Sequence, residues 1–400
     1  MWNDTSPHRP HPKNQTNPAR DLHHNFSLLT PHSSFPSPLS YERMTVLSRY
    51  LSNKYQSLEV YTPGEQPRDM QYVKLNTNES PYPPAPGVAQ AAAMEAGKLE
   101  LYSDPVCADL RDALAARYGV ARENVYVSNG SDDILYFAFM AFAGGGVKAY
   151  FPDISYGFYR VYADFVGVDY RRIPLREDFS IDPADYTNLD GFIAIANPNA
   201  PTGKALPPAE IEKVLQSNPD NVVVIDEAYV DFGGESCIPL VHRYDNLLVV
   251  QTFSKSRSLA GGRLGYAIGN RALIRDLDSL RFSTNPYNVN SATLALGAAI
   301  LDDAEQTRAN CAAIIENRTY TVEKLRALGF TVLDSGANFV FARTPAMDGG
   351  ELYRQLKARG VLVRHFTKPE IAQFNRITIG TRQQMDALLD AIRAILEECK

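Results

Sequence analysis

Between residues 120 and 270 the chain returns again and again to short apolar runs. They are "NVYVS" (124–128), "VKAYFP" (147–152), "GFIAIA" (191–196), "VVVIDE" (222–227), "LLVVQTFS" (247–254) and "RLGYAIG" (263–269). Amphipathic stretches such as "SDDILYFAFMAFA" and "PAEIEKVLQ" separate them. Strands that are apolar throughout have no side reserved for water, and their alternation with helices predicts a mainly parallel sheet covered on both faces. Residues 291–330 read as helical. Beyond them, "TVLDSGANFVFAR", "ELYRQLKARG", "VLVRHF", "RITIG" and "QQMDALLDAIRAILEE" predict strand, helix, strand, strand and helix of a smaller α+β domain. No internal repeat is visible.

Residues 1–43 follow neither period. They hold seven of the 26 prolines, five of the seven histidines (His8, His11, His23, His24 and His32) and the only tryptophan, Trp2. The expectation is a disordered, solvated tail, because irregular histidines separated by prolines make a poor metal site. Apolar periodicity starts at Met44, in "MTVLSRYLSNKY", so the first 43 residues are read as an extension outside the functional chain. Mass spectrometry of the native N-terminus tests this.

Composition narrows the classes. The formal charge of −6 over 400 residues offers no basic footprint for nucleic acid, and no apolar stretch is long enough to span a bilayer. Cys107, Cys237, Cys311 and Cys399 show no C-x-x-C spacing. They read as reduced thiols of a cytoplasmic protein, not as a disulfide framework or zinc site.

Ligands of open α/β sheets collect beyond the carboxyl ends of the strands, and the unusual residues of this chain fall there. Asn129-Gly130-Ser131-Asp132 leads from a strand into a helix, which makes either a phosphate seat or a simple cap by Ser131 or Asp132. Asp226 ends a strand rich in Val and Ile, where a carboxylate must meet a cation, a metal or strong donors. Gly203-Lys204 invites comparison with a phosphate-binding NTPase loop. That comparison fails, because Pro198 stands at the first glycine position and Ala205 at the magnesium-binding Ser/Thr. Lys255, between Ser254 and Ser256 at the end of an apolar run, needs a partner or a reaction. Pyridoxal phosphate suits both Lys255 and Asp226: its aldehyde takes a lysine, its ring nitrogen a carboxylate, its phosphate a cluster of donors.

Here a resemblance becomes plain. "LNTNESPYPP", "LYSDP", "NGSDD", "FPDISYGFY", "NPNAPTG", "IDEAYVDF", "SKSRSLAGGRLGY" and "RITIGT" occur in order. Residues 57–398 resemble the fold-type-I pyridoxal-phosphate aminotransferases, most closely the histidinol-phosphate aminotransferases. The resemblance implies an α/β fold with a mainly parallel seven-stranded sheet between helices plus a smaller α+β domain. It implies a segment 44–75 joining the small domain, a cofactor-binding domain 76–285 and a small domain 286–400. It assigns Lys255 to the Schiff base and proton transfer, Asp226 to the ring nitrogen, Tyr229 to the phenolic oxygen and Tyr156 to the ring face. Gly130, Ser131, Asp132, Ser254 and Arg263 would hold the phosphate, with Tyr102 arriving from the neighbouring subunit of a homodimer. Glycines 261 and 262 are expected to let the backbone fold close to that site. The family has an asparagine contacting the phenolic oxygen where this chain has Ala200; Asn199 is the expected substitute, with Asn197, or a larger share of the contact for Tyr229, as the alternatives.

The reaction implied is ping-pong transamination between an amino donor and a 2-oxo acid: histidinol phosphate and 2-oxoglutarate give imidazole acetol phosphate and glutamate. Arg364 and Arg376 are expected to clamp anions, and Tyr61 and Asn78 to line the substrate site. Cofactor motifs do not separate this from an aminotransferase of aromatic amino acids or a decarboxylase of a phosphorylated amino acid. A non-enzymatic regulator would need a DNA-binding module, for which residues 1–43 are too short and irregular.

Overall fold

A computed structural model of the chain describes residues 48–59 and 61–399. The expectations for residues 1–43 concern a segment outside the described residues. The chain enters through β1 (Val73–Lys74), α1 (Pro86–Ala96) and α2 (Ala108–Tyr118). The alternation then runs β2 (Val125–Ser128), α3 (Ser131–Phe142), β3 (Lys148–Pro152), α4 (Phe158–Val166), β4 (Tyr170–Ile173), β5 (Gly191–Ala196) and α5 (Pro208–Ser217). It continues through β6 (Val223–Asp226), β7 (Leu247–Thr252), β8 (Gly265–Gly269), α6 (Arg271–Thr284), α7 (Ser291–Asp302) and α8 (Ala304–Ala327). Last come β9 (Thr331–Val332), β10 (Phe339–Arg343), α9 (Gly349–Ala358), β11 (Val361–Leu362), β12 (Arg364–His365), β13 (Asn375–Thr378) and α10 (Arg382–Glu398).

Seven strands form the expected sheet in the order β2-β8-β7-β6-β5-β3-β4, and β8 alone runs against its neighbours. Alternate side chains feed two cores. Val125, Ile193, Ile195, Val223 and Ile225 pack on one face, among residues of α2 and α5. Tyr126, Phe192, Ala194 and Val224 pack on the other, among residues of α3, α4 and α6. That is why β5, β6 and β7 read as unbroken apolar runs. The pattern does not reveal β4: an edge strand with Arg171 and Arg172 exposed needs little apolar character.

The smaller sheet is antiparallel, in the order β12-β13-β10-β9, and shares an apolar core with α8, α9 and α10. The N-terminal segment reaches the same core through β1, which pairs in parallel with β11. Helix α7 packs instead on α1 and α2. Its Ile300 joins the large-sheet core, so the first helix after residue 286 belongs with that sheet. Among the described residues, no helix is long and apolar enough to cross a membrane.

Candidate active site

Strand direction decides which residues meet. The carboxyl ends of β2, β5, β6 and β7 lie along one edge, and antiparallel β8 begins there, with Gly265 opposite both Ser128 and Thr252. Arg263 is therefore delivered to the edge where Asp226 and Lys255 arrive. Ser131, Asp132, Tyr156 and Asp226 line a cavity of about 100 Å³ at this edge, as do Tyr229, Ser254, Lys255 and Arg263.

Helix α3 opens on Gly130, at φ 88°, and no side chain caps it. The capping role considered for Ser131 and Asp132 is thus not taken up, and among the described residues no side chain satisfies the first-turn amides. Asp132 instead accepts hydrogen bonds from the hydroxyls of Tyr156 (2.5 Å) and Tyr162 (3.3 Å) and pairs with Arg263 (2.9 Å). A Cβ on residue 130 would lie 2.7 Å from Arg263 Nη2, and one on residue 265 would lie 2.5 Å from Ser131 N. Those two glycines make the close approach, not the pair expected from sequence. Gly261 faces open space, and Gly262 abuts the side chain of Leu259.

The Asp226 carboxylate is buried and accepts from the Tyr159 hydroxyl (3.0 Å) and the Ala228 N–H (3.2 Å). Loss of water pushes its pKa up to about 6; the two hydrogen bonds and the Lys255 charge oppose the shift without cancelling it. Lys255 Nζ donates to the Thr77 carbonyl (3.1 Å) and lies 5.9 Å from the centre of the Tyr229 ring. Among the described residues no carboxylate stands within ion-pair distance of it. The Tyr229 hydroxyl accepts from Asn78 Nδ2 (3.0 Å), and its ring meets Phe339 edge-on at 5.1 Å. Tyr156 packs edge-on against Tyr159 at 5.7 Å, and burial, reinforced by Asp132, pushes its hydroxyl well above the ordinary range.

A larger cleft of about 570 Å³ adjoins this cavity, sharing Tyr156, Tyr229 and Lys255 and taking in Tyr61, Asn78, Arg364 and Arg376. Tyr61 stacks on Phe158 at 4.1 Å. Val363 and Ile377 point into the small core, and alternation turns Arg364 and Arg376 to the other side. The two arginines are direct cross-strand partners. Arg364 donates to the carbonyls of Thr62 (3.2 Å) and Pro63 (3.3 Å), Arg376 to that of Asn76 (2.9 Å). Buried Nε of Arg376 has no hydrogen-bond partner among the described residues. Like charges directly opposite destabilise a sheet, and this pair faces the cleft with no carboxylate bound to either guanidinium among the described residues.

Two expected residues stand elsewhere. Asn199 does not line the cavity: its amide donates to the Ile154 carbonyl (3.0 Å) and Thr202 Oγ1 (3.1 Å) and accepts from Ser155 (2.7 Å). Asn197 is likewise spent on both backbone groups of Leu206. A loop rich in proline needs these side chains to satisfy its backbone. Tyr102 is 83% exposed, stacks on Tyr287 at 4.6 Å and lies outside both cavities. Sequence reasoning missed Tyr159, Thr77 and Lys368, whose Nζ reaches the Asp153 carbonyl at 3.2 Å beside the cleft. An inward tyrosine on α4 was readable from periodicity, but its meeting with Asp226 was not.

Residues 70–392 match the family model for aminotransferase class I and II. The chain is 49% identical over 353 residues to the histidinol-phosphate aminotransferase of Marinomonas sp. (strain MWYL1), covering 87% of this chain and 100% of that protein. It is 50% identical to histidinol-phosphate aminotransferase 1 of Bordetella parapertussis, with 87% and 99% covered. Among solved structures, histidinol-phosphate aminotransferase from Sinorhizobium meliloti in complex with pyridoxal-5'-phosphate shares the fold, with a TM-score of 0.80 at 23% identity over 89% of this chain and all of that one.

Proposed function

Because the chain belongs to the class I and II aminotransferases, we propose that it is a pyridoxal-phosphate enzyme moving the amino group of histidinol phosphate to 2-oxoglutarate. The products are imidazole acetol phosphate and glutamate, a step of histidine biosynthesis. One convergence carries the reading. A single cavity joins an amine without an acid partner among the described residues, a buried carboxylate whose burial outweighs the nearby Lys255 charge, and a helix N-terminus that no side chain of the described residues caps.

These groups suit the cofactor. Pyridoxal phosphate, when bound, supplies an aldehyde for an amine and an electron-withdrawing ring. Lys255 is the amine placed to hold it and to move a proton at the substrate carbon. Asp226, with its raised pKa, answers a cationic ring nitrogen. The amides of Ser131 and Asp132, with Ser254 and Arg263, form the phosphate seat around Gly130. Tyr156 offers a ring face, and Tyr229 a hydroxyl. On the substrate side, Arg364 and Arg376 make a doubly cationic clamp for phosphate or carboxylate, with Tyr61 and Asn78 beside it.

The test is spectroscopic. Protein loaded with pyridoxal phosphate is mixed separately with histidinol phosphate, phenylalanine and glutamate, and the visible band is followed. Histidinol phosphate and glutamate should convert it fastest; preference for phenylalanine overturns the substrate assignment.

The proposed working form is a homodimer in the cytoplasm, where its thiols stay reduced. Supporting the dimer are Met94, Leu99, Leu101 and Tyr102, 62–83% exposed along one stretch of chain. In this reading Tyr102 reaches the partner's phosphate seat. The double variant Lys255→Ala/Arg263→Ala and Tyr102→Ala, each impaired alone, should regain activity when refolded together, because one site of the heterodimer then keeps its own Lys255 and Arg263 and takes Tyr102 from its partner. Heterodimers that form without activity overturn the shared site.

A further inference from the structure

Ala200 offers Tyr229 no side-chain hydrogen bond, whereas Asn78 does, and hydrogen-bond direction shows what that neighbour does. The Asn78 backbone N–H donates to Thr378 Oγ1 at 3.0 Å. A threonine hydroxyl has one proton, and here it goes to Asn78 Oδ1, 2.9 Å away. Among the described residues Asn78 Oδ1 is the acceptor for that proton, and a flipped amide would leave the buried hydroxyl proton without one; the network therefore sets Oδ1 toward Thr378 and Nδ2, a donor, toward Tyr229 at 3.0 Å. Because the Tyr229 oxygen accepts from Nδ2, its own proton is turned away from Asn78. Tyr229 lines the cavity together with Asp226 and Lys255.

The backbone is organised around the same purpose. Asn78 sits at φ 56°, a left-handed conformation that asparagine adopts more readily than most residues, though at a cost. Its carbonyl accepts from Asn338 Nδ2 at 2.9 Å. Three hydrogen bonds from the small sheet and its approach thus hold one buried side chain against one tyrosine of the large sheet. Asn197 and Asn199, the alternatives next to Ala200, are consumed by their own loop. We infer that Asn78 is a positioning residue: the relay Thr378–Asn78–Tyr229 makes Tyr229 a donor into the cofactor cavity, in the place left by Ala200.

This rests on the pyridoxal-phosphate reading, and the test separates the two. The readout is the pH midpoint at which the visible band of protein-bound pyridoxal phosphate changes, with melting of the cofactor-free protein as a folding control. Asn78→Gly removes the amide while tolerating the positive φ, and should raise the midpoint by about one unit, the scale of one hydrogen bond to a charged group. Asn78→Asp should raise it further, because a carboxylate draws the Tyr229 proton away from the cavity. Thr378→Val frees the amide to flip and should shift it the same way, while Thr378→Ser restores the wild-type midpoint. In a Tyr229→Phe background, Asn78→Gly should add nothing.

An unchanged midpoint in folded Asn78→Gly and Asn78→Asp overturns the inference, as does full additivity with Tyr229→Phe. Should Asn78→Gly fail to fold, the Thr378→Val and Thr378→Ser pair decides by the same criterion. A wild-type protein lacking the band, or Lys255→Ala retaining it unaltered, overturns the cofactor reading and the inference together.

Discussion

Asp226 and Glu227 are adjacent in sequence, almost equally buried, and serve opposite sides of one sheet. Burial raises both, to about 6 for Asp226 and about 7 for Glu227. Their company differs. Glu227 accepts from Ser236 Oγ, the Cys237 N–H and Gln251 Nε2. Gln251 in turn accepts from the Tyr266 hydroxyl, which accepts from Arg257. Asp226 has two donors and opens on a cavity containing an amine with no acid partner among the described residues. Burial and a raised pKa therefore do not by themselves mark a site. An unmet demand for positive charge beside open space does.

The comparison can be broken in four ways. The largest effect belongs to the amine across the cavity: Lys255→Ala should fold, bind pyridoxal phosphate weakly and lose steady-state turnover altogether. Turnover near wild type would remove Lys255 from the chemistry. Next, Asp226→Asn should slow the chemical step by roughly a thousandfold, whereas Glu227→Gln should change it by less than about tenfold. Single-turnover rates that fall together would erase the distinction between the two carboxylates.

Third, Gly130→Ala sets a Cβ 2.7 Å from Arg263 Nη2 at a φ of 88°. Strain of about 1–3 kcal/mol should weaken pyridoxal phosphate binding about ten- to a hundredfold, read by titration of the cofactor-free protein. Unchanged affinity would remove the phosphate seat from the α3 terminus.

The smallest effect concerns stability without cofactor. Both carboxyls have folded-state pKa values above their ordinary 3.8 and 4.5. Their contribution is fully present below about pH 4 and lost as pH rises, through about 6 for Asp226 and about 7 for Glu227. Asp226→Asn should flatten the fall in melting temperature between about pH 4 and 6, and Glu227→Gln the part extending to about 7, by a few degrees each. Glu227→Gln gains less because it surrenders an acceptor that three donors use. Melting curves of either variant parallel to wild type across this range would deny that carboxylate its burial penalty.

The apolar runs alone determined the large sheet's inner strands, because a strand buried on both faces must be apolar at nearly every position. They also placed Asp226 and Lys255 at strand ends, where a charged group interrupting such a run is conspicuous. Edge strand β4 and the two-residue β1 escaped, since neither needs a continuous apolar pattern. Of the site, Gly130, Asp226 and Lys255 were legible as local anomalies. The Tyr159–Asp226 contact, the Arg364–Arg376 pairing and the Thr378–Asn78–Tyr229 relay were not, because each joins residues from separate elements. That Asn78 lies against Tyr229 while Asn199 is held within its own loop was decided only by the tertiary structure. An asparagine's role follows from which donors and acceptors already occupy its amide, and those come from 45 residues away for Asn199 and 300 for Asn78.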